Sequence, residues 1–173
     1  MMKNYNTRKG QQGKYTERLI DMTNKQYLNA NMAKVNKIPE PTQITKKHAN
    51  GKVEGFVKRG EMVDYVGIAH RLGFIAFDSK ETKVSTRFDL NRIHGQQLEY
   101  LRDITNMGGF GFLLVNFLEL KEIYLLPYKF VDYWAQSERK SIPIDSIRKN
   151  CVTVDPNNGY TLDYLTGIMD SEF

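Results

Sequence analysis

Residues 73–81 constrain the fold of this 173-residue chain more than any other segment. They form a run of aromatic and apolar residues that is typical of a buried strand, and the run ends in two opposite charges. Because side chains alternate along a strand, Asp78 and Lys80 share one face with Phe74 and Ala76. Burying an uncompensated charge is costly, so a site that uses both charges is expected here.

A second carboxylate comes from the preceding segment. Residues 62–69 have strand character, and a short turn at residues 70–73 predicts that they pair antiparallel with the strand at 73–81. Asp64, near the middle of residues 62–66, is then placed to join Asp78. Two carboxylates and a lysine suit phosphodiester hydrolysis, because hard oxygen ligands hold Mg²⁺ against the phosphate while a lysine orients or deprotonates water. Taken alone, the pattern is weak, because a charge pair such as Asp78 with Lys80 is more often a solvated surface pair.

Periodicity elsewhere predicts an α/β fold with a mixed sheet flanked by helices. The first helix is predicted from Tyr15 to about Met32, and it is marked by Leu19, Thr23 and Tyr27, which are spaced four apart. A Gly-Gly pair at residues 108–109 ends a later helix. The further predicted elements are a polar connection at 82–93, a helix at 94–106, strands at 110–117 and 122–127, a helix at 128–135 and a possible helix at 145–149.

Charge and composition narrow the class of protein. The net charge of +5 suits a polyanionic partner, and the excess lies in two segments. Residues 1–13 are predicted to be a flexible basic arm before a single domain at 14–173, and residues 34–59 carry seven basic residues against two acidic ones. One cysteine, no N-terminal apolar run and no apolar stretch of roughly 20 residues predict a cytoplasmic protein without a membrane span.

A protruding basic hairpin is predicted within this domain at about residues 37–60. Two prolines, Pro39 and Pro41, end the preceding element and enforce an extended path. The segment that follows is polar and lysine-rich. The alternative is a solvated loop whose Phe56 packs back against the body.

A series of sequence blocks runs along residues 13–168. The blocks are Thr23-Asn24-Lys25, Pro39-Glu40-Pro41-Thr42-Gln43-Ile44, Asp64-Tyr65, Phe77-Asp78-Ser79-Lys80-Glu81-Thr82, His94 with Gln97 and Glu99, Tyr133-Trp134, Arg139-Lys140-Ser141-Ile142 and Leu162-Asp163-Tyr164. In their order and residues, these blocks resemble the RecU family of Holliday junction resolvases. The resemblance implies a restriction-endonuclease-like core, a homodimer, dependence on Mg²⁺ or Mn²⁺, and symmetrical nicking of four-way or branched DNA during recombination and repair. It also implies recombinase or branch-migration proteins as candidate partners.

The resemblance assigns roles to particular residues. It implies that Asp64, Asp78 and Glu17 are catalytic residues and metal ligands, that Lys80 acts on the attacking water, and that Gln97 supports the site. Family members usually read Phe-Glu-Ala-Lys-Glu-Thr at residues 77–82, so the second carboxylate of this chain is one methylene shorter.

The family's DNA-engaging stalk matches the predicted hairpin. Phe56 is expected to stack on a base exposed at a junction's open centre. The residues expected to meet phosphates are Lys37, Lys46, Lys47, Lys52, Lys58 and Arg59. The family's Arg-Gly pair before the first helix is absent, because Gln12 precedes Gly13.

Two other functions stay open. A catalytically impaired protein that binds junctions or regulates recombination is compatible with the shorter carboxylate at Asp78. A restriction-like nuclease that acts on other DNA would use the same fold and the same residue types.

Overall fold

The computed structural model describes residues 14–39, 41–57 and 62–171. In chain order the elements are α1 (Lys14–Asn29), β1 (Ala33–Lys37), β2 (Thr42–Lys47), β3 (Val53–Val57), β4 (Tyr65–Ala69), β5 (Gly73–Thr82), β6 (Arg87–Asp89), a 3-10 turn (Leu90–Arg92), α2 (Gly95–Asn106), β7 (Phe110–Phe117), β8 (Glu122–Pro127), α3 (Tyr128–Ala135), β9 (Ser141–Pro143), α4 (Ile144–Asn150), β10 (Val152–Thr153) and α5 (Tyr164–Met169). None of the helices in the described ranges has the length and apolar character that crossing a membrane requires.

A six-stranded sheet forms the centre of the molecule, in the order β1-β4-β5-β7-β8-β10. The pair β5 and β7 is parallel, whereas the other neighbours are antiparallel. The parallel pair needs a crossover, and α2 lies within that connection. This arrangement confirms the predicted mixed α/β sheet.

Helices cover both faces of the sheet because β5 carries apolar side chains on both of its faces. Ile75 and Phe77 pack in one core cluster with residues of α1 and α5. Ala76 packs in a second cluster with residues of α2, α3 and α4. The ring of Phe77 is stacked between those of Tyr65 and Phe112, with centroids 4.8 Å away on each side. The strand at 73–81 is therefore the buried centre that its sequence predicts.

The helix α2 packs closely on the parallel strand pair. At Gly111 a Cβ atom would lie 2.6 Å from the carbonyl oxygen of Leu101 in α2. A side chain at this position would push α2 away from β7, so glycine permits the close approach. This packing sets the distance between α2 and the parallel strand pair.

The predicted hairpin is present as β2 and β3, which pair antiparallel with a register shift between Ile44 and Lys46. The described residues of this hairpin from Lys46 to Phe56 are exposed except for His48, which is half-buried. The hairpin begins at Thr42, so Lys37 belongs to β1 of the central sheet. Lys58, Arg59 and the basic arm at 1–13 lie outside the described residues.

Two local predictions were wrong. The first helix ends at Asn29 and not at Met32, because Asn31 adopts a φ of +56° and the chain turns into β1. The stretch at 82–93 was expected to be a polar connection, but it contains β6, which pairs with β9. Phe88 of β6 and Ile142 of β9 are fully buried, and their packing explains the pairing.

Candidate active site

The carboxyl-terminal half of β5 brings Asp78 and Lys80 to the face of the sheet that α2 covers. Asp78 is fully buried in the middle of the sheet, between β4 and β7. The ammonium of Lys80 is in close contact with Asp78 Oδ2. Because the side chain of Lys80 is only 17% exposed, this is a largely buried ion pair and not the solvated surface pair that the spacing alone allowed.

Asp64 lies beside Asp78, but immediately before β4 and not in the middle of a strand. The register pairs Tyr65 with Phe77, so the preceding residue of the antiparallel strand comes opposite Asp78. The backbone N–H of Ser79 donates to Asp64 Oδ2 at 3.2 Å. The carbonyl oxygen of Asp64 accepts from Ile38 N at 2.7 Å, which anchors this turn to the chain after β1.

Gln97, in the first turn of α2, touches both charged residues of β5. Its amide nitrogen donates to Asp78 Oδ1 at 2.9 Å. Its amide oxygen accepts from Lys80 Nζ at 3.2 Å and from the backbone N–H of His94 at 3.2 Å. Gln97 is buried, and His94 is the N-cap residue of the helix. The amide of Gln97 therefore orients the carboxylate and the ammonium with respect to each other.

The surroundings of Asp78 favour its neutral form. Burial raises the pKa of this carboxyl group to about 7, from an ordinary value of 3.8. The positive charge of Lys80 opposes the shift, whereas the negative charge of Asp64 adds to it. A carboxyl group with such a pKa can exchange its proton for a cation near neutral pH.

A divalent cation fits the donor set on chemical grounds. Asp64 and Asp78 offer carboxylate oxygens, which Mg²⁺ prefers. The buried Asp78 Oδ2 contacts Lys80 but accepts no hydrogen bond of good geometry. Such an oxygen is available to a metal ion.

The structure does not join Glu17 to this pair. Within the described ranges, no three His, Cys, Asp or Glu side chains form a group that could hold a metal ion. Glu17 Oε2 instead lies 2.6 Å from Lys37 Nζ. The residues of α1 in the core pack on the face of the sheet opposite to that of Asp78, which explains why the predicted three-carboxylate site does not form.

Lys37 lies in β1 and not in the hairpin, where it was predicted to meet a phosphate. Besides its ion pair with Glu17, its ammonium lies over the ring of Tyr65 at 5.9 Å from the centroid. Both contacts attach Lys37 to the body of the protein. Its predicted role in phosphate binding is therefore not supported.

The remaining described hairpin residues are largely exposed. Phe56 is 54% exposed, which is contrary to the alternative in which it packs against the body. Lys46 pairs with Glu54, and Lys47 pairs with Val53 in the register. Since Lys46 and Lys47 are neighbours on a strand, they extend from opposite faces of the hairpin. Lys52 is exposed in the turn region before β3.

A hydrogen-bond network behind the site was not predicted. Glu81 Oε1 accepts from the backbone N–H of Thr16 at 2.9 Å and from its hydroxyl group at 2.5 Å. Asn116 of β7 donates to the same hydroxyl group at 2.8 Å. The alternation of β5 places Glu81 on the α1 face, and this signal alone could have suggested that Glu81 contacts the first helix. The network ties the start of α1 to the strand that carries Asp78 and Lys80.

Comparisons with known proteins show which family the chain belongs to. A family model described as RecU, Recombination protein U, matches residues 11–170. Proteins named Holliday junction resolvase RecU from Staphylococcus epidermidis and Staphylococcus aureus are each 34% identical over 168 residues, which is 92% of this chain and 80% of each relative. A solved structure of Archaeoglobus fulgidus Hjc, a Holliday junction resolvase, covers 77% of this chain and 92% of its own at 12% identity, with a TM-score of 0.48. The family match and the two relatives show that this chain belongs to the RecU family.

Proposed function

We propose that this protein is a metal-dependent endonuclease that resolves four-way DNA junctions by nicking opposing strands. The observation that carries the proposal is the buried contact of Asp78 with Lys80 and Gln97, beside Asp64, at one end of a central strand. The resolvases named above, which are 34% identical to this chain, support the choice of a branched DNA substrate.

Asp64 and Asp78 would hold the metal ion, with Mg²⁺ as the expected ion and Mn²⁺ as a substitute. When bound there, the ion would supply positive charge against the phosphate and would make a water molecule more acidic. Asp78 must lose its proton to bind the ion, and Gln97 keeps Asp78 Oδ1 in place by a hydrogen bond.

Lys80 would act on the phosphate and on the attacking water. Its ammonium is a donor that can hold a phosphate oxygen or an incoming water molecule. Its hydrogen bond to Gln97 Oε1 fixes where the ammonium points. Loss of this donor would remove charge stabilisation from the transition state while leaving the DNA-binding surface intact.

A homodimer would supply one such site to each of the two strands that are cut. A two-fold dimer matches the two-fold symmetry of a four-way junction. The exposed hairpin, with Phe56 and its lysines, would contact the open centre of the junction. Sedimentation of the protein alone and with a junction tests this arrangement, since a two-fold model requires two protomers on each junction.

The first experiment measures cleavage of a labelled four-way junction with a linear duplex as the control, in Mg²⁺ and in EDTA. Wild type should give paired nicks on the junction only when metal is present. Asp78→Asn and Lys80→Ala should abolish cleavage and keep junction binding, whereas Lys25→Ala, an exposed lysine of α1, should cleave like wild type.

Each other outcome has a distinct meaning. Retained cleavage by folded Asp78→Asn protein would refute the proposed site. Tight junction binding without a cut in Mg²⁺, or in Mn²⁺ in its place, would favour the catalytically impaired alternative. Equal cleavage of junction and duplex would favour a nuclease acting on other DNA.

A further inference from the structure

A cleft separates the beginning of α2 from the segment between α3 and β9. Its volume is about 440 Å³. One wall carries Asn91, His94 and Gly95, and the opposite wall carries Arg139 and Lys140. Glu138 is the acidic residue among its lining residues. The cleft thus has an excess of positive charge.

The cleft and the candidate active site share the first turn of α2. His94 lines the cleft, and its backbone N–H donates to Gln97 Oε1 at 3.2 Å. The same amide oxygen accepts from Lys80 Nζ at 3.2 Å. A strand of DNA whose phosphate lies against Lys80 would therefore pass close to the cleft.

The contacts that hold Arg139 and Lys140 in place do not neutralise their charges. The guanidinium of Arg139 lies over the ring of Trp134 at 5.4 Å from the centroid. This stacking orders the planar group and leaves its N–H edge available for two hydrogen bonds to a phosphate. The carbonyl oxygen of Lys140 accepts from Leu90 N at 2.9 Å, at the end of the paired strands β6 and β9.

Neither cation has an ion-pair partner within the part of the chain that the structure describes. Other cations do have one: Lys37 pairs with Glu17, Arg148 with Glu122, and Arg102 with Asp103. Arg139 and Lys140 are adjacent, exposed and line the same cleft, so their mutual repulsion is relieved when an anion enters. This combination distinguishes them from cations that are scattered over the surface.

We infer that this cleft binds a backbone phosphate of the DNA strand that passes through the active site. The inference rests on the proposed nuclease function and adds a contact separate from the hairpin. Arg139 and Lys140 meet the phosphate, and the cleft thereby sets the path of the strand across Lys80. Because a phosphate is common to every sequence and shape of DNA, the contact contributes equally to junction and to linear duplex.

The test measures the binding of a labelled junction and of a linear duplex by fluorescence anisotropy over a range of salt concentrations, with Ca²⁺ in place of Mg²⁺. In the double variant Arg139→Gln with Lys140→Gln, the affinity for both DNAs should fall about tenfold. The slope of log K against log salt should decrease in magnitude by about 1, since one phosphate contact contributes roughly 0.9.

Lys140→Gln alone leaves the stack of Arg139 on Trp134 intact, so Arg139 still meets the phosphate and the slope should decrease in magnitude by less than about 1. The matched control is Lys25→Gln with Lys149→Gln, which removes two exposed positive charges from α1 and α4. Ethylation of individual phosphates adds a positional readout. One phosphate near the cut should interfere with binding when ethylated in wild type, and the interference should vanish in the double variant.

An affinity and a slope equal to those of the control, or unchanged ethylation interference, would overturn the inference. Cleavage by wild type is measured in parallel. If wild type cuts junctions and the cleft variant binds like the control, the inference fails and the proposed function stands. If wild type never cuts, the proposed function fails, and the salt slope still decides whether the cleft binds phosphate.

Discussion

Replacing Asp78 by asparagine should stabilise the protein when no metal is present. The folded state raises the pKa of this carboxyl group from 3.8 to about 7, so it holds the proton more tightly than the unfolded chain does. The stability that this proton contributes is fully present below pH 3.8, and it is lost as the pH rises to about 7. Over that range the loss amounts to about 4 kcal/mol, because each pH unit corresponds to roughly 1.4 kcal/mol.

Asparagine resembles the neutral acid and avoids this loss. The Asp78→Asn protein should therefore be more stable than wild type by about 4 kcal/mol at pH 8, and by less than about 1 kcal/mol at pH 4. For a chain of this length, the difference at pH 8 corresponds to roughly 10 °C in Tm. The asparagine side chain keeps an oxygen that can accept from Gln97, so the packing of the site is preserved.

The assay is urea unfolding in EDTA at pH 4, 6 and 8, repeated with Mg²⁺. Addition of Mg²⁺ at pH 8 should stabilise wild type but not the variant, so the difference between their free energies of unfolding should become smaller. Asp170→Asn, which changes an exposed aspartate after α5, is the matched control and should be neutral at every pH. Equal stability of wild type and Asp78→Asn at pH 8 in EDTA would refute the claim that the buried carboxylate destabilises the metal-free fold.

Four other predictions follow from the same contacts. At limiting Mg²⁺, junction cleavage by wild type should fall about tenfold per pH unit below about pH 7, because protons compete with metal for Asp78, and a flat profile would contradict this. Gln97→Ala should slow cleavage by about 10- to 100-fold, whereas Gln96→Ala at the exposed neighbouring position should not. Glu17→Gln should cost less than about 1 kcal/mol in unfolding experiments and leave cleavage near that of wild type, because its ion pair is partly solvated. Phe56→Ala should weaken junction binding by about 1 to 3 kcal/mol with duplex binding unchanged, and equal loss on both DNAs would exclude stacking at the junction centre.

Local patterns predicted four of the six strands of the central sheet, which are β4, β5, β7 and β8. The strand β5 has apolar residues on both faces and turn residues before it, and these features identify a central strand. The short strands β6 and β9 have three residues each, which is too short for alternation to be recognised. They form because the hydrogen bonds between the two strands and the burial of Phe88 and Ile142 stabilise each other. This stabilisation depends on tertiary contacts, which local sequence patterns do not show.

Period-two alternation was sufficient to put Asp78 and Lys80 on one face, but it does not say which helix covers that face. The first helix packs on the other face, so Glu17 is separated from the pair although its residue type suits a metal ligand. Such a separation depends on which side of the sheet each helix occupies. From the sequence alone, the first helix could pack on either face of the sheet.

The crossover between β5 and β7 explains why Gln97 is the residue that meets the charged pair. The two strands are parallel, so the connection must return from the end of β5 at Thr82 to the start of β7 at Phe110. A helix in this connection begins beside the carboxyl end of β5 and runs back along the sheet. Its first turn then lies over Asp78 and Lys80, and its last turn lies near the start of β7, where Gly111 permits close packing. The position of the site thus follows from the direction of the strands. A side chain in the first turn of α2 that faces the sheet lies over Asp78 and Lys80 of β5.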